Sequence, residues 1–440
     1  MTTFCAGGMI VLLSLLGLWR METLVGIVMK MGGTPDMVFD SQQQQQQLQR
    51  QQYLLRHNGN LWFYVDSWHE GIAGWRPSLS QMLLLSKTFN ATLVEPTITQ
   101  SRLGRCGNKV VLSDVLNRTL ITDYHSKFVT CQEYLQAIEQ STKNNGTVVV
   151  YVDVCWDKEP RCKNGVVSDH SKRHSPSLLT ALQAAAHHPQ DMIVLRFHNV
   201  WQNSMSNLNI PGLPTDTNDI ITAAKQVAKQ HLHFNRNLVR TLESKLEQHN
   251  IVNHAVIHWR AEQVHASYME CANAIVRARD VMIQSMTNKT TTTTTTTPTF
   301  FLMSSLSSND QLMWNGARRN AANTSAPQAL ELLHTKGFMK LDETLLVDED
   351  YEDSIFYVAM DLILASKAQM FATCTARCRW PKYHLCKRCN WIGNFAHLAL
   401  ELRTDTTTTT TTTSATGSLP CWPQTAKQVK AIAKIPKEHL

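Results

Sequence analysis

Val256-Ile257-His258-Trp259-Arg260-Ala261-Glu262 is the stretch on which the reading of this chain turns. An apolar, β-rich run passes into His258, Arg260 and Glu262, spaced by two, and a helical pattern follows at once. Alternate residues of a strand share one face, so the three side chains point together if the strand continues that far. A guanidinium at a strand's C-terminal end is placed to grip a diphosphate through paired hydrogen bonds. The same cation would stabilise charge growing on a departing phosphate. A plainer account stays open: an ion pair between Arg260 and Glu262, or a histidine satisfied within the core.

Outward from this stretch, apolar runs at 91–94, 148–154, 192–197, 255–259, 300–304 and 370–373 read as strands. Most are continuously apolar rather than alternating, as parallel strands covered on both faces are. Helical patterns occupy 78–88, 178–187, 219–248, 262–286, 326–334, 354–368 and 395–402. The alternation predicts an α/β fold with right-handed crossovers. Pro211, Gly212 and Pro214 interrupt the pattern within 209–217 and divide the body into halves of comparable size. Ligand is expected in the crevice at the C-terminal strand ends.

The 440 residues, 43% apolar and 18% charged, suffice for two or three domains. The net charge of +7 is modest, and basic and aromatic residues do not interleave, so no nucleic-acid partner is expected. Residues 4–19 carry no charge, and a second apolar piece at 24–29 follows Arg20 and Glu22. The segment 1–31 therefore reads as a signal anchor or a signal peptide, either of which delivers the remainder to an oxidising lumen. A Gln-rich stem over 32–58 comes next. Threonine tracts at 290–297 and 406–413 are low-complexity insertions, the second separating the body from a Thr-rich and basic tail over 404–440. Five N-x-Ser/Thr sequons, at Asn90, Asn117, Asn145, Asn288 and Asn323, are close to what chance yields in a Thr-rich chain and decide nothing.

Of eleven cysteines, ten lie beyond the first apolar segment, an even number suited to disulfides in a lumen. Cys374, Cys378, Cys386 and Cys389 also supply the four thiolates of a tetrahedral zinc site, and both readings stand at this point.

Three places in the chain, taken in order, resemble the O-fucosyltransferase superfamily. His69-Glu-Gly-Ile-Ala-Gly-Trp-Arg-Pro-Ser-Leu-Ser80, with the helix and Asn90-Ala-Thr-Leu-Val-Glu-Pro96 after it, is similar to that family's N-terminal glycine loop, first helix and "TLVxP" strand. His258-Trp-Arg260 is similar to its His-x-Arg motif. Ala359-Met-Asp-Leu-Ile-Leu-Ala-Ser-Lys-Ala-Gln-Met-Phe371 and Asn390-Trp-Ile-Gly-Asn-Phe-Ala-His-Leu-Ala-Leu-Glu-Leu-Arg403 resemble its late acid-bearing helix, the strand after it and the nucleotide-contacting turn. The chain departs from the pattern at Gly74-Trp75-Arg76, where many relatives have Asn, and at Gly393-Asn394-Phe395, which replaces a Ser/Thr-rich turn. A cysteine-rich insertion, 375–389, interrupts the third motif.

The resemblance implies a GT-B-like architecture, two Rossmann-like domains facing a cleft: 59–212 on the acceptor side and 213–403 for the donor nucleotide. It implies an inverting glycosyltransferase of the hexosyltransferase or fucosyltransferase type, moving fucose from GDP-fucose to a protein or glycan hydroxyl. By the same resemblance Arg260 binds the donor phosphates and serves catalysis, and His258 supports donor or acceptor. Asp361 and the turn at Asn394 and Phe395 lie near guanine or ribose, and Gly71 and Gly74 belong to the donor-facing glycine loop. Glu70, in that loop, is the candidate general base. No cofactor and no metal is expected, since Arg and backbone donors neutralise the diphosphate. The implied location is the Golgi or ER membrane, single-pass type II with a luminal catalytic domain, or secretion if the N-terminal segment is cleaved. The alternatives are a non-catalytic sugar- or nucleotide-binding pseudoenzyme of the same fold and a zinc-stabilised binding protein.

Overall fold

The computed structural model describes residues 60–68, 71–99, 102–143, 149–155, 166–167, 192–198, 217–261, 266–287, 298–304, 326–347, 351, 353–374, 388–389, 394–406, 417–419, 421–425 and 428. The expected N-terminal segment over 1–31, the stem and the helix expected at 178–187 lie outside them. Among the described residues no helix is long and apolar enough to cross a membrane. All of them belong to one compact unit, Gly59–Leu440.

Two parallel sheets organise this unit. The first is built from β1 (Leu61–Val65), β2 (Thr92–Val94), β6 (Phe128–Val129), β7 (Val149–Cys155), β8 (Val166–Val167) and β9 (Met192–His198). Its order is β6-β2-β1-β9-β7-β8, with every pairing parallel. Helices α1 (Ile72–Thr88), α2 (Leu112–Val115), α3 (Arg118–Tyr124) and α4 (Cys131–Lys143) connect the strands. A small antiparallel sheet of β3 (Thr97–Thr99), β4 (Arg102–Gly104) and β5 (Val110–Val111) covers one end.

The second sheet holds β10 (His254–Trp259), β11 (Thr299–Ser304), β12 (Phe338–Met339), β13 (Met370–Ala372) and β14 (Gly417–Leu419). Its order is β12-β11-β10-β13-β14, again wholly parallel. Helix α5 (Thr217–His231) packs on α1 and α3 of the first half, and the helices accompanying the second sheet are α6 (Arg236–Gln248), α7 (Tyr268–Thr287), α8 (Ala326–Thr335), α9 (Leu341–Thr344), α10 (Ile355–Lys367) and α11 (Asn394–Thr406). In each sheet the chain winds outward from a central strand and then returns to its other side. The point of reversal lies between β1 and β9 in the first sheet and between β10 and β13 in the second. Such switch points are where doubly wound sheets bind ligands, outside the carboxyl ends of the strands.

All six residues of β10 are buried, which explains why its sequence runs apolar without alternation. Helix α1 begins at Ile72, not at the expected position 78, and takes Pro77 into its body. Proline there removes one backbone donor, a cost on the order of 3 kcal/mol. Burial of Ile72, Trp75 and Leu79 offsets it, at about 1.5–3 kcal/mol for each large side chain. The single helix expected over 219–248 is two helices, because Asn235 intervenes as a cap. Its side-chain oxygen accepts from the Asn237 N–H at 2.9 Å, and its amide donates to the Ser113 carbonyl at 2.7 Å.

The expected separation of body from tail at 404 does not hold. Helix α11 runs to Thr406, β14 pairs in register with β13, and Cys421 and Trp422 are buried in the core of the second sheet. Chain beyond the threonine tract therefore belongs to the core of the second sheet.

Candidate functional site

His258 is the fifth residue of β10, and its side chain is buried at the switch point of the second sheet. Its Nδ1 lies 2.9 Å from the Thr373 hydroxyl, which follows β13, so this hydrogen bond spans the reversal. Phe395, near the start of α11, stacks on the imidazole with centroids 5.2 Å apart and planes 29° apart. Burial, with a smaller contribution from Arg260, drives the imidazole pKa down to about 3. His258 is therefore a neutral group at physiological pH.

Arg260 stands one residue beyond β10 and is partly exposed. The strand end that presents it is held from three directions. The Trp259 indole donates to the Cys389 carbonyl at 2.7 Å, and the Trp422 indole donates to the His258 carbonyl at 3.3 Å. A disulfide joins Cys389 to Cys271 in α7. A cation on so constrained a backbone, close to the N-terminus of α11 through the His258–Phe395 contact, is suited to an anionic ligand.

Asp361 lies in the middle of α10 and retains some accessible surface, yet its carboxyl is closely enclosed. Desolvation raises its pKa well above the usual carboxylate range; nearby Asp342 adds to the rise and Lys340 opposes it. The structure thus groups Asp361 with the buried Lys340, which pairs with Asp342 at 3.4 Å and Glu343 at 2.8 Å. Asn394 opens α11, and Phe395 contacts His258 as described.

The expected glycine loop is shorter than the sequence suggested. Gly71 caps α1, accepting from the N–H groups of Gly74 and Trp75 at 2.8 and 3.0 Å. Gly74 is consequently buried inside the helix, its N–H already engaged, and not in a ligand-facing loop. Glu70 and Glu262 lie outside the described residues. Arg76, in the departing Gly-Trp-Arg triplet, is buried and joins the two halves. It donates to the Ala228 and Leu232 carbonyls at 3.1 and 3.4 Å, and to Glu401 of α11 at 3.4 Å.

The zinc reading of the cysteine cluster is overturned. Cys389 is bonded to Cys271 and Cys374 is also in a disulfide, so two of the four thiolates are consumed. Among the described residues no group of side chains could hold a metal ion.

Sequence reasoning missed a second polar pair. At the switch point of the first sheet, His198, the last residue of β9, places Nδ1 3.1 Å from Oδ2 of Asp66, which directly follows β1. Neither residue lies in a recognisable motif, and 132 positions separate them. Two residues after Asp66, Trp68 is 2% exposed and its indole N–H has no hydrogen-bond partner among the described residues.

No family model matches the sequence, and no curated protein matches it. Among solved structures the chain is similar to POFUT1 in complex with GDP, at 11% identity and a TM-score of 0.43, covering 79% of this chain and 96% of that one. POFUT1 in complex with GDP-fucose gives 11% identity and a TM-score of 0.40 over 82% of this chain and 98% of that one. A mutant of Arabidopsis thaliana FUT1 in complex with GDP gives 11% and 0.34, over 81% of this chain and 72% of that chain.

Proposed function

We propose that this protein is an inverting glycosyltransferase that takes GDP-fucose as donor and a protein or glycan hydroxyl as acceptor. The observation that carries the reading is the placement of Arg260: a cation just past the central strand, at the topological switch point, on a backbone held by Trp259, Trp422 and the Cys271–Cys389 disulfide. Its guanidinium would engage the diphosphate and take up the charge that grows as the sugar–phosphate bond breaks. His258, kept neutral, adds no second cation and serves as a fixed polar wall. The Asn394–Phe395 end of α11 and Asp361 would flank the nucleoside. The diphosphate would be neutralised by Arg260 and backbone donors, without a metal.

The disulfides of Cys106–Cys131 and Cys271–Cys389 support a place in an oxidising compartment, which we take to be the Golgi or ER lumen or the outside of the cell. The deciding experiment is calorimetric titration of the protein and of Arg260→Ala with GDP. Loss of a charged hydrogen bond costs about 1.5–3 kcal/mol, or about 10- to 150-fold in Kd. Equal GDP affinity in the two proteins refutes the phosphate clamp.

A further inference from the structure

We infer that Asp66 is the carboxylate that takes the acceptor's proton, held in place by His198, in an acceptor subsite at the C-terminal edge of the first sheet. The inference rests on the donor reading above.

Four observations support it. Asp66 and His198 meet at the reversal between β1 and β9, the counterpart of the place where His258 and Thr373 meet in the second sheet. The two side chains are unequally buried: His198 is 7% exposed and Asp66 17%, so the carboxylate is the more accessible of the two. The backbone beneath is pinned, since the Asp66 N–H donates to the Phe197 carbonyl at 2.9 Å and the Trp68 N–H to the Leu103 carbonyl at 3.0 Å. Finally, among the described residues the buried Trp68 indole N–H has no hydrogen-bond partner, a cost that an oxygen of a bound ligand would relieve.

The helices that follow the two sheet edges, α1 and α11, pack against each other. Helix α1 starts just past β1 and α11 starts beside His258, and the Arg76–Glu401 pair joins them at 3.4 Å. At about 1.5 Å per residue, Arg76 is about 6 Å from the start of α1 and Glu401 about 10 Å from that of α11. Helices α1 and α11, whose N-termini follow the two sheet edges, thus belong to one packed framework.

In the step, the acceptor O–H bond breaks and its proton passes to the Asp66 carboxylate. The freed oxygen pair forms the bond to the anomeric carbon. The bond from that carbon to the diphosphate oxygen breaks, and its electrons leave on GDP, facing Arg260. Water is the simplest acceptor, so GDP-fucose hydrolysis reads the step without a known acceptor.

The test compares the full chain with Asp66→Asn, His198→Asn and His198→Ala. GDP affinity, GDP release from GDP-fucose and melting temperature are measured for each. Asp66→Asn should lower kcat about 10²- to 10³-fold and leave GDP affinity within about twofold. Asn supplies a side-chain N–H near the position of Nδ1, so His198→Asn should keep a rate well above that of His198→Ala. If Asp66→Asn does not fold, the two His198 variants decide the matter.

Wild-type turnover in Asp66→Asn, or equal losses in both His198 variants that track their melting temperatures, overturns the inference and leaves the donor reading standing. A wild-type protein that binds GDP but releases none from GDP-fucose overturns both the inference and the catalytic half of that reading. One that binds no GDP overturns the donor site itself.

Discussion

Lowering the pH from 7 to 5 should destabilise the fold in part through the His258 imidazole. In the unfolded chain its pKa is near 6.5, whereas in the folded protein desolvation, helped by Arg260, lowers it to about 3. Below pH 6.5 the unfolded state takes up a proton that the native state refuses, so stability falls progressively from about pH 6.5 down to about pH 3. Each unit in that interval is worth about 1.4 kcal/mol. Over the step from pH 7 to pH 5 the loss comes to about 2 kcal/mol. The assay is urea unfolding at both pH values for wild type and His258→Asn, which can still hydrogen-bond Thr373 but cannot titrate. His125 and His254, whose pKa values burial also lowers, act in the same direction in both proteins and cancel in the difference. Wild type should lose about 2 kcal/mol more than the variant. Equal losses would refute the claim that His258 is held neutral at the switch point.

Replacing Arg403 by Met tests the closure of α10. Arg403 is 3% exposed, and its guanidinium donates to the Ala365 and Ala368 carbonyls at 2.6 and 2.7 Å, so unfolding by urea should show a loss of about 3–5 kcal/mol. Cys389→Ser opens a loop with a sequence separation of 118, which chain entropy values at about 5 kcal/mol at most. Its melting temperature should fall, and GDP affinity should weaken with it because the Cys389 carbonyl anchors Trp259. Asn235→Ala should cost about 1 kcal/mol by denaturant titration, as loss of an N-cap does.

The central strands could be read because burial on both faces leaves a local mark: β10, β9 and β11 are nearly unbroken apolar runs. β1 escaped notice because Leu61-Trp-Phe-Tyr-Val65 alternates buried and half-buried positions beside a low-complexity stretch. The strands β6, β12 and β14 have only two or three residues each, and neighbouring strands define them more than their own composition does. Helix α4 carried a usable signal. Thr130 and Glu133 form reciprocal side-chain to backbone bonds at 3.1 and 2.6 Å, a capping box written as T-x-x-E. At the site, His258 and Arg260 were legible because their motif is local. Thr373, Trp422 and the Asp66–His198 pair were not, because each depends on segments brought together only by the sheet order.

β14 ties the maturation of the second sheet to the synthesis of chain beyond the second threonine tract. Until Gly417–Leu419 has emerged, β13 presents a bare edge of main-chain donors and acceptors, open to pairing with any passing strand. The indole that steadies His258 arrives later still, at Trp422. A nascent chain stalled in the second threonine tract would thus carry a cation without its scaffold and a sticky margin. Quality-control factors would meet this half of the molecule as an unfinished client long after the first sheet had been synthesised.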